Sequence, residues 1–188
     1  MNTTDIPSIF HQHIEKEPHN QCVMCECKLL DNDTPYMIEK VFKRYPSTTT
    51  IDVLIEYAIC FECAKKMRKQ LSADSLANVE AYMKSKIDID ARAEFVSKNS
   101  ETDKWMENCV FLGDKISECN EFSIQGQFFN DQMLLTGMPY AVSENAMDEL
   151  AELISPETKD VLDDFIGKHF SGPPEVEEIL KQNRFILI

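Results

Sequence analysis

Two cysteine pairs constrain this chain more than any other feature: Cys22-Val-Met-Cys25 and Cys60-Phe-Glu-Cys63. A C-x-x-C turn presents two sulfurs at the spacing of adjacent corners of a tetrahedral metal site, with backbone N–H groups turned back toward them. The second pair stands directly ahead of a run of good helix formers, "AKKMRKQL", and so opens a helix. The amides and dipole at that helix start favour negative charge and stabilise thiolates. Between the pairs, "PYMIEKVFKRY" alternates Tyr36, Ile38 and Lys40 on one face with Met37, Glu39 and Val41 on the other. "TIDVLIEYAI" is rich in β-branched and aromatic residues. These segments are expected as antiparallel strands joined through "PSTTT".

The cysteine count points to reduced thiols. Seven is an odd number, which suits a metal site better than a disulfide framework. Cys22, Cys25, Cys60 and Cys63 are the expected ligands and Zn²⁺ the expected ion. Four thiolates leave the centre at −2, a charge softened by Lys65, Lys66, Arg68 and Lys69 of the following helix. Four protein ligands leave no position for a reactive water, so the expected role is structural. In a finger with little core of its own, zinc supplies folding free energy on the order of 10 kcal/mol. Cys27 is expected to be a small bystander thiol and His19 not to be a ligand. His11 and His13 are read as a surface pair. "HIE" at residues 13–15 lacks the separation and the Pro-Cys context of a zinc deaminase signature.

The order of knuckle, β-hairpin, C-x-x-C and helix resembles the treble-clef zinc fingers, a class that includes GATA-type and LIM-type fingers. The resemblance covers residues 19–72 or thereabouts. It implies that Cys22 and Cys25 are knuckle ligands and Cys60 and Cys63 helix-start ligands. One departure is that Glu26-Cys27 follows the first pair where such knuckles often carry glycine. The whole chain also resembles uncharacterised bacterial proteins, which implies no chemistry.

Charge divides the chain. Up to Lys86 there are 11 basic against 12 acidic residues; beyond it, 8 against 21. An acidic second half repels nucleic acid and membrane surfaces. Helices are expected over 61–71, from a Ser72 or Asp74 cap, at "DARAEFVSK", from Ser143, from Ser155 with Pro156 in the first turn, and in "GPPEVEEILKQ". Strands are expected within "WMENCVFLGDKISECNEFSIQGQFFNDQMLLTG", with Gly113–Asp114 and Asn130–Asp131 as turns. Cys109 and Cys119, either side of the first turn, are expected to be core or edge cysteines.

The expected fold class is α+β: an N-terminal treble-clef-like finger, then helices and a small antiparallel sheet with helices. The division is an arm (1–18), a zinc-finger domain with trailing helices (19–86) and an acidic α+β domain (87–188). No apolar run suits a membrane span and no signal peptide is read, so a cytoplasmic location is expected. No Gly-rich phosphate loop, nucleophile elbow or His–carboxylate motif is present, and no enzymatic activity is expected. The expected function is zinc binding in a protein-interaction module with a protein partner. The alternative is nucleic-acid binding through the basic helix after Cys63, disfavoured by the net charge of −14.

Overall fold

The computed structural model describes residues 2–31, 33–45, 50–99 and 101–170. In chain order the elements are β1 (Thr3–Asp5), β2 (Pro35–Arg44), β3 (Ile51–Cys60), α1 (Phe61–Arg68), α2 (Ala73–Lys86), α3 (Ile89–Lys98), α4 (Thr102–Trp105), β4 (Glu121–Phe129), β5 (Gln132–Leu134), β6 (Tyr140–Ser143), α5 (Glu144–Glu152) and α6 (Pro156–His169). The fold is α+β, with an antiparallel sheet at its centre. Three helix starts use the expected serines: Ser72, Ser143 and Ser155 accept from the N–H of Ser75, Ala146 and Thr158. The expected "PSTTT" connection (all but Thr50) and the helix in "GPPEVEEILKQ" lie outside the described residues.

The alternating segment becomes β2, paired on both sides. It meets β3 from Tyr36↔Cys60 to Val41↔Ile55, where a bulge shifts the register so that Phe42 faces Val53. On its other side it meets β4 from Pro35↔Phe129 to Lys43↔Glu121. β4 continues the sheet through β6 at one half and through β5 and then β1 at the other. Lys86, where the domain boundary is expected, ends α2, and strands from either side of it pair in one sheet.

The expected strands of residues 105–137 are fewer in the fold. Trp105 closes a short helix, and Gly113, at φ +77°, permits a turn tight enough to pair Asn108 with Lys115. Cys109 thus donates its N–H to the Asp114 carbonyl, and Ile116–Glu118 coils into a 3-10 turn. Asn130, at φ +51°, turns β4 into β5 as expected.

The two faces of β2 are covered differently. Met37, Glu39 and Val41 share a face with Tyr57 of β3, whose ring meets Phe165 of α6 edge-on at 5.5 Å. The opposite face carries Tyr36, Ile38, Lys40 and Phe42 and is covered by residues 6–19, the segment expected as a loose arm. There Phe10 is fully buried, 5.2 Å from the Phe128 ring. Lys40 is buried as well; its Nζ donates to the His11 carbonyl at 2.7 Å and pairs with Glu56 at 2.9 Å. Glu56 in turn accepts from the His13 N–H. A buried ion pair is tolerable only when such bonds complete it. Among the described residues no helix is long and apolar enough to cross a membrane.

Candidate metal centre

The first cysteine pair lies in a loop closed on itself. Asn20 accepts from the Leu29 N–H, Gln21 bridges to Lys28, and Cys22 donates its N–H to the Cys27 carbonyl at 3.0 Å. Leu29, fully buried, anchors the base of the loop. At its tip Glu26 donates to the Cys22 carbonyl and adopts φ +59°. That left-handed position is where a knuckle usually carries glycine; a side chain there costs about 1 kcal/mol. The missing glycine thus changes the residue and leaves the turn intact.

The loop is hooked to the end of β3: Val23 donates its N–H to Ala58 at 2.9 Å. Cys60 is both the last residue of β3 and the N-cap of α1, and its side chain makes no capping bond. Its N–H points at the Cys22 sulfur, 3.4 Å away. The Cys25 and Cys60 sulfurs are 3.9 Å apart. The sulfurs of Cys22, Cys25, Cys27 and Cys60 all lie within 4.8 Å of one another. Four sulfurs at about 2.3 Å from a zinc ion stand about 3.8 Å from each other. The donor set therefore fits a thiolate-binding divalent ion with small side-chain adjustments.

Cys63 sits in the first turn of α1, buried beside Cys25 and Cys60 but outside the set of four. Thus three of the four expected ligands, Cys22, Cys25 and Cys60, belong to the mutually close set, and its fourth member is Cys27. The expectation that Cys27 stands aside does not hold: the left-handed Glu26 reverses the chain and brings the Cys27 thiol within reach of Cys25 and Cys60 too. The signal for this was present as Cys25-Glu26-Cys27.

The thiols differ in acidity. The Cys27 backbone N–H, pointing at the Cys25 sulfur, lowers that thiol to about 6. Desolvation raises Cys22, and desolvation followed by the neighbouring Cys25 sulfur pushes Cys27 up to about 12. Desolvation also raises Cys63, again with Cys25 contributing. One thiolate forms easily in this crowd, and further negative charge requires a cation to balance it.

His19 belongs elsewhere. It is buried, desolvation lowers it to about 4, and the charges acting on it are those of Glu56, Lys40, His11 and Glu15 on the arm side of the sheet. Of the basic residues near the pairs, Lys40 and Lys43 are bound to Glu56 and Glu121. Arg44 donates to the carbonyls of Ile116 and Cys119 and lies over the Phe122 ring. Lys65 pairs with Glu62 at the surface. Cys109 and Cys119 are buried free thiols.

Compared with family models, curated proteins and solved structures, the chain matches none. The resemblance to uncharacterised bacterial proteins gains no support from these comparisons.

Proposed function

We propose that this is a zinc protein of the treble-clef kind, with a structural thiolate site, acting in a reducing cytoplasmic setting as a protein-interaction module. The observation that carries the reading is the convergence of cysteines from a loop and a helix start to within 4.8 Å. The order of knuckle, β2, β3 and α1 supports the treble-clef assignment. Zinc surrounded by four sulfurs has no position for a reactive water, which supports binding over catalysis. Exposed apolar side chains suited to a partner include Ile89 and Phe95 on α3. The nucleic-acid alternative is left with Lys66, Arg68 and Lys69 of and beside α1, since Lys40, Lys43 and Arg44 serve the fold itself.

Metal analysis of the purified full chain tests the site: one zinc per chain is expected, and Cys60→Ser should lose it. A metal-free wild type would refute the reading. For the role, a pull-down from the native cell should recover a partner with wild type that Cys60→Ser loses. Salt-sensitive retention on DNA or RNA, abolished by Lys66→Ala with Arg68→Ala, would favour the alternative instead.

A further inference from the structure

Five thiols surround a place where a tetrahedral ion takes four. Cys22, Cys25, Cys27 and Cys60 form the mutually close set. Cys63 lies outside that set, beside the same two thiols, Cys25 and Cys60, that Cys27 neighbours. Those two are 3.9 Å apart and form one edge of the site. Cys22, buried and held by the Cys60 N–H, supplies a third fixed corner. Cys27 completes the close set, and Cys63 flanks it from a different element. Cys27 rides on a loop with a strained residue at its tip, half-buried; Cys63 is fixed in a helix and buried.

We propose that Cys27 and Cys63 are alternate fourth ligands of one thiophilic divalent ion, and that the unused thiol serves as the entering ligand in metal exchange. This rests on the metal-site reading above. In the exchange step the entering thiol gives up its proton and forms a sulfur–metal bond. The bond to the departing sulfur breaks, and that thiolate takes up a proton. Charge is balanced, nothing is oxidised, and the ion never falls to three ligands. A site built this way holds its ion yet yields it readily to a competing thiol or chelator.

The test uses the full chain loaded with Co²⁺, whose absorption reports the number of sulfur ligands. Cys27→Ser and Cys63→Ser should each bind one equivalent with a four-sulfur spectrum, and each should release it to a chelator at least tenfold more slowly than wild type. The double variant should lose the four-sulfur spectrum. Loss of that spectrum in one single variant, retention in the double, or release from the single variants as fast as from wild type would each overturn the proposal while leaving the metal site standing. A wild type without a four-sulfur spectrum refutes both. Because a variant can fail to fold, ¹¹³Cd bound to wild type supplies an independent reading. Correlations to β-protons of all five cysteines are expected, and correlations to only four would refute alternation.

Discussion

Glu39 is a buried carboxyl in the middle of β2, a strand paired on both sides. It accepts from the Tyr57 hydroxyl at 2.5 Å and from the Gln125 amide at 2.9 Å; Gln125 in turn accepts from the Tyr140 hydroxyl at 3.0 Å. These four residues stand in register across β3, β2, β4 and β6, so they form a polar row through an apolar layer. Burial raises Glu39 to about 7 despite the two donors. The facing tyrosines are raised above their ordinary value and stay neutral below pH 8. Between about pH 4.5 and 7 the folded chain holds a proton that the unfolded chain releases, so this group's contribution to stability falls as pH rises through that window and levels off above it. The loss amounts to about 3 kcal/mol. Glu39→Gln removes the titration and keeps the row's shape. Urea unfolding at pH 5 and pH 8 should show a steeper decline for wild type than for the variant, and equal declines would contradict the assignment.

At the scale of elements, the segment before the first cysteine pair acts as a lid on one face of the sheet. It fits because Gly126 of β4 has no side chain: a Cβ there would lie 2.9 Å from the Phe128 ring and 3.2 Å from that of Phe10. Phe128 is itself stacked on Tyr36 at 5.4 Å, so neither ring can retreat freely. Gly126→Ala is expected to cost about 1–3 kcal/mol through overpacking, and to expose residues 6–19 to limited proteolysis before the rest of the chain. Unchanged stability and cleavage would show that the lid is not held there. This covering was not legible beforehand, because one buried Phe beside polar residues has no periodicity to read. The hairpin was legible: β2 alternates, β3 is rich in β-branched and aromatic residues, and three helix starts carry serine caps. Residues 107–118 misled because their apolar content resembles strand, while Gly113 and the following turn send them into coil. Three of the four clustered thiols, Cys22, Cys25 and Cys60, were legible from the C-x-x-C spacing. Cys27 was not, because its inclusion depends on Glu26 accepting a left-handed backbone.

For the whole molecule, the question is whether the cysteine cluster and the acidic portion are separate bodies. A single row of paired residues argues that they are not: Cys60 pairs with Tyr36, Tyr36 with Phe128, Phe128 with Met133 and Met133 with Thr4, from one edge of the sheet to the other. The cluster hangs on the β3 edge. The one tryptophan, Trp105, is near the other edge: it is buried, donates to the Asn99 carbonyl, and lines a cleft with Thr3, Thr4 and Leu135. An ion that binds only the folded chain stabilises whatever unfolds with its site, by an amount set by its concentration relative to its dissociation constant. If the sheet transmits that stabilisation, Trp105 reports on a metal it never approaches. On heating the Co²⁺-loaded chain, Trp105 fluorescence and the cobalt–sulfur absorption should therefore be lost at one midpoint. Chelation should lower the Trp105 midpoint by several degrees, in keeping with a single cooperative transition. Two separated midpoints, with the Trp105 transition indifferent to chelator, would instead divide the chain into a metal-dependent finger and an independent acidic domain.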